Sequence, residues 1–242
     1  MTSETRASVN VDAAEVVSQL VSSNPRIRAI RVFETVAPPT VQERFPLTSQ
    51  EEALIKSGLR LRNEMDLPFW DSVFLVALQE NREIGEQLWA AASFHQHNDS
   101  MQRIGRPEVN ATSLRYMAES VPPNHILAIS SEVEVAREDE ARHIPLLDFS
   151  AIPTRHSLSL VKRVIGDRGM SGFLLESGRS FHFYGRNLLT DAGLVRFLGE
   201  SLLYGPVLDR RWVAHQLIEG FCALRISSSG ASPPPYVVAQ FD

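Results

Sequence analysis

The sequence predicts an α/β protein: a mostly helical N-terminal region over residues 1–120, then a split βαβ sheet domain over 121–242. Three observations carry this expectation. Apolar positions before residue 95 mostly recur at three- and four-residue spacing, whereas after residue 125 short apolar strands alternate with helical stretches. Between them, the polar stretch 96–124 with Gly105, Pro107 and Pro122-Pro123 reads as a boundary loop.

The helical half opens at 13–22 (AAEVVSQLVS), followed by a strand over 27–33. A Pro-bearing loop leads to Thr48-Ser-Gln-Glu51, a capping box that starts a helix reaching about Asn63. Pro68 suits the first turn of one long helix to His95, with Trp70 and Phe74 on its core side. In the second half, 126–135 and 143–150 are strands, and 156–166 is a helix through Leu158, Val161, Val164 and Ile165. The segments 172–177 and 180–185 form a hairpin around Gly178-Arg179. Thr190 and Asp209 cap two helices, Gly220 ends the second, and 221–227 is a strand. The last strand, PPPYVVAQF, is confined by its prolines to an edge. From His143 this is β-α-β-β-α-(α)-β, the split βαβ order of ferredoxin-like and RNA-recognition-motif domains with an extra helix. Its first and third strands would lie side by side at the sheet centre. Ser180, His182 and Tyr184 would then share the face away from the helices.

Composition removes several classes. The 242 residues are 43% apolar and 22% charged, enough for a packed core. A single cysteine, Cys222, rules out a disulfide scaffold and multi-cysteine zinc sites. MTSETRASVN lacks a secretory apolar core, and 69–78 falls short of the ~18 apolar residues of a membrane span. A cytoplasmic chain with no membrane partner is expected. The net charge of −5 is uneven: from His143 onward ten basic side chains face eight acidic ones, leaving −7 in the first half. That acidity, including Glu132, Glu134, Glu138, Asp139 and Glu140, suits a protein partner for the N-terminal half.

Three elements could carry chemistry: Asp148 at a strand end, Arg179-Ser180-Phe181-His182 on the hairpin, and Asp209 with Arg225 near the C-terminus. Separated acids beside hydroxyl, imidazole and guanidinium groups suit a metal-complexed phosphate. Each residue also has a plainer role. Asp148 can cap a strand end, His182 can be a hydrogen-bonded core histidine, Asp209 a helix cap, and Arg225 an ion-pair partner. His95, His97 and Asp99 read as a polar helix end, and Cys222 as core.

The three elements, in this order and spacing, resemble motifs I, II and III of the archaeo-eukaryotic primase (primase-polymerase) superfamily. Motif II is matched by Ser180-Phe-His182, motif III by Asp209 and Leu224-Arg225-Ile226-Ser227, and motif I by Asp148. Ser150 stands where motif I has its second acid, so this is a divergent member. The likeness runs over residues 126–240. It implies a nucleotidyltransferase of the primase or polymerase type. Asp148, Asp209 and His182 would be catalytic, with Mg or Mn held by Asp148 and Asp209. Arg179, Ser180, His182 and Arg225 would bind phosphate, and the partners would be nucleotides and a single-stranded or primer end. With Ser150 in place of an acid, either Glu176 or another carboxylate completes the metal site, or the protein binds without polymerising, as a scaffold subunit.

Overall fold

Asp12 accepts the amide of Glu15 and so starts α1 (Ala13–Ser23), whose face of Val16, Val17, Leu20 and Val21 is buried. In the computed structural model the described residues are 11–36, 40–65, 67–95, 101–136, 141–230 and 232–242. They fall into two compact units, one from residues 1–37 and 98–242, the other from 38–97. The residues His97, Asp99, Glu138, Asp139 and Glu140, singled out above, lie outside those described.

Antiparallel sheets build the first unit. In one, β1 (Ile27–Val36) pairs with β2 (Gln102–Gly105) on one side and β3 (His125–Val135) on the other. β4 (Arg142–His143) extends the sheet beyond β3. The second sheet is ordered β5 (Leu146–Asp148), β7 (Phe181–Gly185), β6 (Gly172–Glu176) and β9 (Tyr236–Phe241). Four further helices belong here: α6 (Ala111–Ser120), α7 (Arg155–Asp167), α8 (Asp191–Ser201) and α9 (Arg210–Glu219). Each is started by a short polar side chain, respectively Asn110, Thr154, Thr190 and Asp209, accepting an amide of its first turn. Gly220 closes α9 in the left-handed conformation, φ 79°.

The α/β class and the hairpin of β6 and β7 are as the sequence predicts, and β9 takes a sheet edge. The expected first and third strands, β5 and β7, are neighbours, but β5 lies at the sheet edge. The expected fourth strand departs: β8 (Ala223–Arg225) pairs with β3 of the other sheet. Its Arg225 carbonyl accepts the hydroxyl of Tyr184, so it lies against the face that was expected to be open. The polar stretch 96–124 also differs, since it holds β2 and α6. Both escape a periodicity reading because they bury little: β2 only Ile104, α6 only Ala111 and Leu114.

The second unit is helical: α2 (Val41–Arg44), α3 (Ser49–Met65), α4 (Phe69–Gln79) and α5 (Glu86–Ser93), around Leu54, Ile55, Val73, Val76 and Leu88. The long helix expected to His95 is thus two, broken over Glu80–Gly85. Glu51 explains the break. As in a capping box it accepts the Thr48 amide at 2.8 Å, and its other oxygen accepts the Leu88 amide at 2.9 Å. One buried carboxylate so caps α3 and begins α5, and these amides hold its acid below the usual carboxylate range. A side chain at Gly85 would strike that carboxylate at 2.3 Å.

Candidate functional site

Register decides which side chains meet. Antiparallel pairing of β5 with β7 sets Asp148 directly opposite His182. The β6–β7 turn is closed by the Ser177 amide donating to the Ser180 carbonyl at 2.9 Å, with Gly178 at φ 94°, where a non-glycine residue would be strained. This turn sets the Ser180 hydroxyl 3.3 Å from Oδ1 of Asp148, and the same oxygen is 3.6 Å from Nε2 of His182. The Asp209 amide donates to the Asp148 carbonyl at 3.1 Å, so the start of α9 is tied to the end of β5. Arg225 arrives from β8. Its guanidinium donates to the carbonyls of Ser227 (2.6 Å), Pro233 (3.1 Å) and Ser177. The Tyr184 hydroxyl returns a bond to the Arg225 carbonyl at 3.3 Å.

Burial governs the electrostatics. Burial first, and the nearby Asp209 charge second, push the Asp148 acid up to about 8 despite the Ser180 hydrogen bond. Burial and the Arg225 charge push His182 down to about 3. Both are therefore neutral near pH 7. His182 is 5% exposed and Tyr184 wholly buried, so the face expected to be open is covered. The cause is β8, which carries Arg225 over it.

The structure brings together Asp148, Ser180, His182, Asp209 and Arg225. Arg179 is exposed on the same turn and has no hydrogen bond or ion pair to another described residue, yet its charge is felt by Arg225. Asp209 caps α9, its Oδ1 accepting from Arg211 and Trp212 at 3.0 and 2.9 Å. His182 is not the satisfied core histidine of the plainer reading: its Nδ1 is buried without a hydrogen-bond partner among the described residues. Ser150 donates to the Pro206 carbonyl. Glu176 is engaged by Tyr236 of β9. Cys222 is buried, as expected, with its thiol pushed up by burial.

Sequence reading did not single out Ser177. Its hydroxyl lies 3.1 Å from that of Ser180, and its carbonyl receives Arg225. The local signal was its place beside the turn glycine. The long contact to Arg225 had none.

With this geometry in place, comparison with known families is decisive. The model for the archaeo-eukaryotic primase 1D-like domain (AEP-like) matches residues 107–237. The chain belongs to this family. It is a primase-like protein, and the matched span covers α6 through the start of β9, with every residue of the cluster inside it. No curated protein matches the chain. No solved structure matches it either.

The donor set was tested against the pair of divalent ions that the resemblance implies. Two carboxylates, Asp148 and Asp209, approach each other closely enough to interact. The third position is a serine hydroxyl already given to a carbonyl, and Glu176 is bonded to Tyr236. Among the described residues no three His, Cys, Asp or Glu side chains gather as a metal cage. These residues do not fit a two-ion site, which needs shared carboxylates on both ions.

Proposed function

We propose that this protein binds the phosphates of a nucleotide, or of a nucleic-acid end, at the Ser180–His182 turn, as a primase-like binding module rather than a nucleotidyltransferase. The observation that supports it best is the buried, unpartnered Nδ1 of His182. Leaving such an atom unsatisfied costs about 1–3 kcal/mol, and a phosphate oxygen is a fitting partner. A neutral imidazole carries one N–H, so with that proton on Nδ1 and Nε2 facing Asp148 it donates to a phosphate once the cover over this buried atom opens to admit one. With Asp148 protonated near neutral pH, its carboxyl adds no second negative charge to that of Asp209 beside it. Arg179 adds an exposed cation at the mouth of the turn. Arg225, held by three carbonyls, braces the turn and supplies background positive charge. Transfer chemistry is left out of this reading because the carboxylates do not suffice for two ions.

The test is thermal unfolding with ATP or dATP, with and without Mg²⁺, followed by primer extension with Mn²⁺. Saturating nucleotide at about 100 times Kd stabilises the wild type by about 2.7 kcal/mol. S180A and H182N lose most of that gain, and no extension is seen. Template-dependent extension that disappears in D148A overturns the binding-only reading. A nucleotide shift absent from the wild type overturns the phosphate site itself.

A further inference from the structure

The helical unit 38–97 has an aromatic face that is partly open to solvent, most of all at Leu78 and Trp89. Its rings run continuously: Phe69 to Trp70 at 5.0 Å, Trp70 to Phe74 at 6.0 Å, and Phe74 to Trp89 at 5.4 Å between centroids. Trp70 and Phe74, expected as plain core, are only half-buried. Trp70, Phe74 and Leu78 recur every fourth residue on α4 and so form one stripe, beside the buried Val73 and Ala77 that face the unit's core. Leu78 is 79% exposed and Trp89 on α5 is 54% exposed. A contiguous apolar surface of this kind, unlike scattered single residues, marks an interaction site.

The segment that joins its two helices is acidic. Glu80, Glu83 and Glu86, all exposed, follow Leu78 in the chain and lead to Trp89, with Glu86 one helical turn from that ring. Arg82 is the sole arginine or lysine between Phe69 and His95. It is taken up by the Gln50 carbonyl at 3.0 Å and Glu80 at 3.2 Å. Across 38–97, nine acidic side chains face five basic ones. That field repels a polyanion and attracts a cation, which can also rest on the Trp89 ring.

We propose that the Phe74–Leu78–Trp89 face, with the acidic segment of Glu80, Glu83 and Glu86, docks a basic amphipathic helix of a partner protein. Its apolar side covers the rings, and its lysines or arginines reach the glutamates. This surface shares no residue with the phosphate site, so either can fail without the other.

The test uses the full chain and two synthetic helical peptides of one pattern, leucine–lysine and leucine–glutamate, followed by calorimetry. The leucine–lysine peptide binds saturably and the leucine–glutamate peptide does not. W89S, L78S and the double variant E83K/E86K each weaken binding about tenfold or more, a loss of about 1.4 kcal/mol. Their circular dichroism melts stay as wild type, because the altered groups are exposed. No binding of the leucine–lysine peptide overturns the proposal, and so does binding undiminished in W89S and L78S. Oligothymidylate binding that W89S abolishes would give the face to nucleic acid. A concentration-dependent mass in sedimentation that L78S abolishes would give it to a second copy. Either result overturns the proposal.

Discussion

Asp148 and His182 face each other across β5 and β7 with both charges suppressed, and stability should record it. An acid raised from 3.8 to about 8 lets the folded state hold a proton the unfolded chain releases, so its contribution is lost as pH rises through that interval. His182, lowered from 6.5 to about 3, acts in the other direction: stability is lost as pH falls from 6.5 towards 3. The two slopes oppose each other between about 4 and 6.5, and above 6.5 only Asp148 remains. Urea unfolding at fixed pH should show stability falling by about 1 kcal/mol between pH 6.5 and 8. In D148N that fall should vanish. A decline that survives in D148N would assign it to another group. Asp148, Ser180 and His182 were legible as a set because strand alternation and the hairpin turn are local. His182's unpartnered nitrogen was not, since it depends on what β8 lays over the strand.

At the scale of elements, polar caps do most of the local specification. Glu51 joins two helix starts, so E51A should cost about 2 kcal/mol in chemical unfolding, more than an ordinary cap, because buried amides of both helices lose their acceptor. Asp209 has two opposed effects. Its side chain caps α9, worth about 1 kcal/mol, while its charge repels an ionised Asp148. D209A should therefore destabilise by about 1 kcal/mol at pH 6, where Asp148 is protonated, and by less at pH 9. Equal losses at both pH values would remove the coupling. Helices announced by a cap and an apolar stripe (α3, α8, α9) were readable from sequence, and α1 from its apolar stripe alone. α6 was hidden because Asn110 caps a helix that buries only Ala111 and Leu114, and α5 because Ile84 and Leu88 continue the α4 pattern across a break made by a distant glutamate.

Taken whole, the chain is a two-sheet unit with a helical unit inserted in its β1–β2 connection. β1 ends at Val36 and β2 begins at Gln102, which pairs with Val32. Four strand residues separate those ends, about 13 Å at ~3.3 Å per residue, so roughly six flexible residues can bridge them. Replacing 38–97 by such a linker should leave a cooperatively folding protein, as the clusters around Leu54 and around Ile30 share no residue. Retained nucleotide stabilisation in that variant, read by thermal unfolding, would show that the phosphate site does not need the insert. Loss of folding would show that the units depend on each other. The −7 of residues 1–142 includes the insert's surplus of acid, whereas the proposed phosphate site lies in the half carrying +2.

By itself the sequence determined the α/β class, the hairpin that presents Ser180 and His182, the helix caps, and the three motifs that mark a divergent primase-like domain. Each rests on spacing within a few residues, where backbone geometry leaves few choices. Only the tertiary structure decided that β8 joins β3, that Arg225 is spent on three carbonyls, and that Ser150 gives its hydroxyl to Pro206. It also decided that one glutamate would start two helices. Those outcomes depend on strands and loops distant along the chain competing for the same hydrogen-bonding edge or the same buried space. No local pattern records which of them wins.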